Sequence, residues 1–344
     1  MQSTILVPLD GSPLAEHALP YAERLASATS ARLILCRALS ATKLQPTEIV
    51  HAVDEAHAYV QGVAEQLGSR GSIVETTIPW GEPADEILEQ VRSARADLVV
   101  MATHGRSGLG RWLYGSVADE VLRRASVPIF LVPPGSDEPW SVDRAPRILV
   151  PLDGSQLGEA ALGPAREWAT RLGSEIVLVQ VIPFPPYSSF GDSSGYVVAL
   201  DPESDLAAAQ TYLSDVAERL RSTVKQVRVR AELGDPSVDI ARIAAEEKAK
   251  LIVMATHGRG GLARLVLGSI ATGTLRRANV PLLLVRPAAL DIPARQVAPA
   301  ADRVAEPGVA TTEAGDMDAE RPRPRLLTGH RARTEFGEGF RTWL

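Results

Sequence analysis

The run Ile5-Leu6-Val7-Pro8-Leu9-Asp10-Gly11-Ser12 recurs letter for letter as Ile148-Leu149-Val150-Pro151-Leu152-Asp153-Gly154-Ser155. Met101-Ala102-Thr103-His104-Gly105-Arg106 likewise recurs as Met254-Ala255-Thr256-His257-Gly258-Arg259. A repeat this long is too large for a solenoid unit and has the size of a duplicated domain. The offset between copies is 143 residues through Ala31–Leu35 against Ser174–Leu178, and 153 residues from Gly81-Glu82-Pro83 against Gly234-Asp235-Pro236 onward. The second copy therefore carries a net insertion between about residues 180 and 230, for which the Pro-, Ser- and Gly-rich run Pro183 to Gly195 is the candidate. Any functional reading must account for two similar sites in one polypeptide.

With 344 residues and 45% hydrophobic content, there is chain enough for two ordinary cores. A net charge of −6 provides no basic footprint, so nucleic acid and acidic membrane surfaces are not the expected partners. The single cysteine, Cys36, lies in an apolar run, reads as a packed thiol, and suits a reducing compartment. The chain enters a strand pattern at Thr4 with no charged leader, and no run approaches the ~20 apolar residues of a membrane span. A cytoplasmic protein is expected.

Each copy alternates short apolar runs with longer helical patterns. In the first, strands are expected at Thr4–Leu9, Arg32–Ala38, Ser72–Ile78, Leu98–Ala102 and Ile129–Val132, with helices near Leu14–Ala28, Thr47–Ser69, Pro83–Ala94 and Ser116–Ala125. In the second, strands are expected at Arg147–Leu152, Glu175–Val181, Gln226–Glu232, Leu251–Ala255 and Leu282–Val285. Runs such as Leu98-Val99-Val100-Met101 are apolar on successive residues, as in a strand covered on both faces. The alternation implies α/β architecture: two tandem Rossmann-like, doubly wound domains with parallel sheets between helix layers. The expected boundaries are 1–135 and 145–287, with a linker at 136–144. The Ala-, Pro- and Arg-rich tail 288–344 shows no sustained periodicity and is expected to be disordered.

In such a sheet, ligands sit beyond the carboxyl ends of the strands where strand order reverses. Asp10-Gly11-Ser12 follows the first strand, and the fourth strand is followed by a glycine-rich loop, with nine residues between Gly105 and Gly115-Ser116. The same spacing separates Gly258 from Gly268-Ser269. Glycines admit backbone N–H groups to an anion, and a helix starting at the serine adds unsatisfied donors. The plainer alternative is a turn shaped by glycine with a serine at the helix start. Asp10 and Asp153 suit a ribose hydroxyl, a metal travelling with phosphates, or an Asx turn.

Together, Val-Pro-Leu-Asp-Gly-Ser, Gly-(Asp/Glu)-Pro and the Thr-His-Gly loop with its later Gly-Ser resemble the universal stress protein family, over both copies but not the tail. The resemblance implies five-stranded parallel sheets in the order 3-2-1-4-5 and pockets for ATP, with Mg2+ as its companion rather than a metal bound by protein side chains alone. It implies a cofactor-binding set of Pro8, Asp10, Ala38, Met101, Ala102, His104, Gly105, Arg106, Gly115, Ser116 and Val117 in the first copy. The second set is Pro151, Asp153, Val181, Met254, Ala255, His257, Gly258, Arg259, Gly268, Ser269 and Ile270. Asp10 and Asp153 would face ribose or adenine, Ala38 and Val181 would offer backbone to adenine, and the glycine loops would hold phosphates. His104 and His257 suit either phosphate or a bond within the loop. Nucleotide-binding members begin the loop pattern with glycine, whereas both copies here have alanine, Ala102 and Ala255. The family also pairs domains through strand five, so Ile129–Val132 and Leu282–Val285 are expected to form an internal pseudo-dimer, with room for a further homodimer.

The chain has no Walker-type Gly-x-x-x-x-Gly-Lys-(Ser/Thr) loop and no Gly-x-Ser-x-Gly elbow, and no residue is assigned as catalytic. Binding of an adenine nucleotide that alters contact with an unknown protein partner is the leading expectation. The alternatives are a slow ATPase using the same pockets and an interaction module that takes no nucleotide.

Overall fold

The computed structural model describes residues 3–40, 47–103, 115–136, 145–183, 201–256 and 267–287. The linker, most of the inserted run, both histidine-bearing loop segments and the tail from 288 lie outside the described residues.

The first repeat contributes strands β1 (Thr4–Pro8), β2 (Arg32–Cys36), β3 (Val74–Thr77), β4 (Leu98–Ala102) and β5 (Ile129–Val132). The second contributes β6 (Arg147–Pro151), β7 (Glu175–Pro183), β8 (Val227–Gly234), β9 (Leu251–Ala255) and β10 (Leu282–Val285). They form one ten-stranded sheet in the order β3-β2-β1-β4-β5-β10-β9-β6-β7-β8, so each half is a 3-2-1-4-5 array and the halves meet at their fifth strands. Register repeats as faithfully as sequence: Thr4 opposes Arg32 in one half, and Arg147 opposes Glu175 in the other. All described pairings are parallel except β5 with β10, which run antiparallel with Phe130 opposite Leu283.

Successive apolar residues serve opposite faces. Leu98 and Val100 join the core beneath α2 (Leu19–Thr29), α3 (Ile49–Gly68), α6 (Leu162–Leu172) and α7 (Pro202–Arg221). Val99 and Met101 join the core beneath α4 (Pro83–Ser93), α5 (Ser116–Arg124), α8 (Pro236–Glu246) and α9 (Ser269–Arg277). Both cores run across the β5–β10 seam, because residues of both repeats belong to each.

Two local departures from expectation have clear causes. The helix expected over Leu14–Ala28 is divided into α1 (Pro13–Glu16) and α2, because Pro20 has no N–H to donate to the Glu16 carbonyl. The second repeat begins the same segment with a 3₁₀ turn, Gly158–Ala161. The two outer strands also differ. β3 stops at Thr77 ahead of Pro79, which cannot donate into a ladder, whereas Glu232 takes that place in the second repeat and β8 pairs with β7 as far as Gly234.

Candidate functional site

The site begins with the turn after the first strand of each repeat. Asp10 Oδ1 accepts from the Ser12 amide at 2.9 Å and the Ser12 hydroxyl at 2.6 Å, and Asp153 Oδ1 accepts the same pair from Ser155 at 3.0 and 2.6 Å. Between them, Gly11 and Gly154 adopt φ of 83° and 78°, a left-handed turn that glycine enters without strain. Ser12 Oγ then accepts from the Ala15 amide at 3.1 Å and Ser155 Oγ from the Gly158 amide at 3.0 Å, so each serine both fixes the aspartate and starts the following helical segment. The Asx turn weighed as an alternative is therefore present, and both aspartates remain half-buried at the strand end.

α1 packs against the end of β4, which brings this turn beside the start of the fifth helix. The Gly115 amide donates to the Thr103 carbonyl at 2.8 Å, and the Gly268 amide to the Thr256 carbonyl at 3.0 Å, closing both loops at the same point. Each glycine is the extended N-cap of its helix and carries no capping side chain, so α5 and α9 present first-turn N–H groups without a covering group from that residue. Ser116 and Ser269 are exposed and Val117 is half-buried. Ile270 is 37% exposed. A donor-rich helix start beside a fixed carboxylate is chemically suited to a phosphate-bearing ligand with a hydroxylated sugar.

The remaining residues of the expected set sit as follows. Pro8 and Pro151 end the first strands; Met101 and Met254 pack into the core beneath α5 and α9. Ala102 and Ala255 are the last residues of β4 and β9. Leu9 donates to the Cys36 carbonyl and Leu39 to the Pro79 carbonyl, so alternation turns the intervening Ala38 backbone toward the side where β1 has already ended. Val181 holds the matching place on β7, buried and opposite Glu232. His104, Gly105, Arg106, His257, Gly258 and Arg259 lie outside the described residues.

The structure adds residues that sequence reasoning passed over. The Tyr59 hydroxyl donates to Glu16 Oε1 at 2.9 Å, and the Tyr212 hydroxyl to Glu159 Oε1 at 3.0 Å. Burial raises both phenols well above the ordinary value; the neighbouring glutamates push the same way, and Asp10 and Asp153 add to it. Both tyrosine–glutamate pairs thus border the strand-end aspartates. The repeat offset would have flagged them, since Tyr and Glu occupy matching places in both copies. A groove of about 870 Å³ lined by Pro20, Glu23, Arg24, Arg70 and Ile73 lies instead at the amino ends of β2 and β3, opposite this site. Among the described residues, no cluster of His, Cys, Asp or Glu is arranged to hold a metal ion.

A doubly wound sheet built from two matching halves defines a duplicated α/β protein. A profile of the universal stress protein family matches residues 1–133 and 145–286, and the chain belongs to that family. A universal stress protein of Mycolicibacterium smegmatis is 29% identical over 303 residues, covering 82% of this chain and 97% of that one. One from Mycobacterium tuberculosis is 26% identical over 311 residues, covering 82% and 96%. The solved universal stress protein of Archaeoglobus fulgidus shares the fold, with TM-score 0.65, 23% identity, and coverage of 84% of this chain and all of that one.

Proposed function

We propose that each repeat binds an adenine nucleotide, ATP with its Mg2+, across the ends of the first and fourth strands, and that occupancy alters contact with a protein partner in the cytoplasm. The observation that carries this is the doubled arrangement of a serine-fixed aspartate beside a glycine-capped helix start, with the same bonds in both halves. On this reading Asp10 and Asp153 meet the ribose, the Ala38 and Val181 backbone meets the base, and Gly115-Ser116 and Gly268-Ser269 meet the phosphates. A Cβ at Gly115 would meet only the Thr103 carbonyl, at 3.8 Å, so that helix start is open to an approaching anion, whereas at Gly268 the turn itself calls for glycine, the Thr256 carbonyl lying 3.0 Å from a Cβ. The bound nucleotide supplies anionic charge and the protein supplies N–H donors and one carboxylate per pocket.

The test is to denature the purified protein, identify any released nucleotide by chromatography, and titrate the stripped chain with ATP and magnesium. Close to two ATP per chain is expected. Asp10→Asn and Asp153→Asn keep the turn's acceptor, remove its charge, and should each weaken one site. No released nucleotide and no saturable binding up to millimolar ATP would leave an interaction module. Steady-state phosphate release lost in the Asp10→Asn/Asp153→Asn chain would point to a slow ATPase.

A further inference from the structure

The repeats agree at the aspartate, its serine and the tyrosine–glutamate pair, but not at the residue beside that pair. In the first repeat Arg37 is 5% exposed, its guanidinium stands 5.0 Å from the centre of the Tyr59 ring, and it meets Glu55 at 3.6 Å. The second repeat has Gln180 where the first has Arg37, and Ala208 where it has Glu55. Cation and carboxylate have been removed as a pair, and Glu159 instead takes Arg219 from the helix exterior at 3.0 Å. Gln180 stays buried, at 9% exposure, and its Oε1 has no hydrogen-bond partner among the described residues.

An orphaned buried carbonyl oxygen forfeits its hydration, so it is a standing acceptor for any donor that reaches it. Its surroundings say where the donor comes from. Gln180 directly precedes Val181, whose backbone turns to the crevice. It occupies the place from which Arg37 abuts Tyr59, and the equivalent Tyr212 lies within the field of Asp153. Ala208 supplies no carboxylate at the place from which Glu55 meets Arg37. We propose that Gln180 is a ligand-contacting acceptor of the second pocket, taking a hydrogen bond from an N–H or O–H of the bound nucleotide. The two pockets are then chemically unequal: the first is occupied at this point by a guanidinium already held by Glu55 and Tyr59. This rests on the nucleotide reading above.

The experiment is calorimetric titration of the stripped full-length chain with ATP, the sites being assigned with Asp10→Asn and Asp153→Asn. Gln180→Leu should leave first-site affinity unchanged, weaken the second about tenfold, as one lost hydrogen bond does, and hold or raise the melting temperature of the empty protein. A higher melting temperature with unchanged second-site affinity would mean that Gln180 meets only water, and would overturn the assignment. Should Gln180→Leu fold poorly, Gln180→Arg with Ala208→Glu installs the first repeat's pair and should give the second site the first site's affinity. Purine riboside triphosphate lacks the exocyclic amine, and 2′-deoxy-ATP and 3′-deoxy-ATP each lack one ribose hydroxyl, so the analogue whose weakening disappears in Gln180→Leu identifies the donor. If all three lose as much in the variant as in the parent, Gln180 touches none of these groups and the proposal fails. No ATP binding by the parent chain would strike the nucleotide reading itself, whereas binding indifferent to Gln180 strikes only this assignment.

Discussion

Glycines that look interchangeable in the sequence carry opposite constraints. A Cβ at Gly273 would lie 2.6 Å from the Ser237 Cβ and 3.0 Å from the Ser237 carbonyl, because α8 and α9 pack backbone to backbone there. At Gly62, on the exposed face of α3, a Cβ would meet nothing within 4 Å. Gly273→Ala should therefore lower stability by about 1–3 kcal/mol through overpacking, while Gly62→Ala should raise it by about 1 kcal/mol through helix propensity. Urea unfolding of the two variants checks both signs. Cys36 behaves as the sequence suggests for a thiol in an apolar run: it is buried, and burial, with a smaller push from Glu86, raises it to about 12. Its labelling by a thiol reagent at pH 8 should proceed only as fast as the chain unfolds, so rapid labelling of the native protein would contradict the packing described. The strand-end aspartates were legible because local turn chemistry places them. Tyr59 with Glu16 was signalled only by its repetition as Tyr212 with Glu159, and Arg37 with Glu55 not at all, since each pair joins distant segments that only packing brings together.

At the scale of elements, Leu98–Ala102, Ile129–Val132, Leu251–Ala255 and Leu282–Val285 are strands over the residues that the apolar runs predict. Central strands are readable because both faces are buried and every residue votes. The outer strands are not, because their ends are decided by a proline in one repeat and by ion pairs in the other. Along β8, Arg228 meets Glu175 and Glu247, Arg230 meets Glu232, Glu246 and Glu247, and Arg242 on α8 meets Glu232, Asp239 and Glu246. This charged lattice lines an otherwise unpaired sheet edge, where charge opposes pairing with another chain. Burial would raise the Glu175 carboxyl, but Arg228 and Arg147 more than offset it and hold the group below 4.5. A carboxylate lowered on folding contributes stability that is present above its unfolded value and lost as pH falls through its folded value. The melting temperature should therefore decline below about pH 4.5, and Glu175→Gln should flatten that decline while lowering the plateau above it. A decline of unchanged steepness in the variant would assign acid sensitivity elsewhere.

For the molecule as a whole, the antiparallel seam makes one sheet from two repeats and removes two edges that would otherwise be exposed. The pairing was implied by resemblance to the family; nothing in the local pattern of Ile129–Val132 distinguishes an edge that pairs from one that does not. Its hydrogen bonding follows from the neighbouring ladders. The Pro281 and Val285 carbonyls accept from β9, and the Pro128 and Val132 carbonyls accept from β4. Alternation then turns Leu282 and Leu284 toward β5, and Ile129 and Leu131 toward β10, in the register Leu284 opposite Ile129 and Leu282 opposite Leu131. Leu284→Pro removes a donor from this seam while the odd-numbered residues of β10 keep their bonds to β9. The intact chain carrying it should lose the coupling between repeats. Calorimetry should show the single transition expected of the parent split into two, and size-exclusion chromatography should show higher oligomers as the freed β5 edge finds other chains. A variant that still melts in one step and remains the size of the parent would mean that the cores shared across the seam, rather than its hydrogen bonds, hold the repeats together.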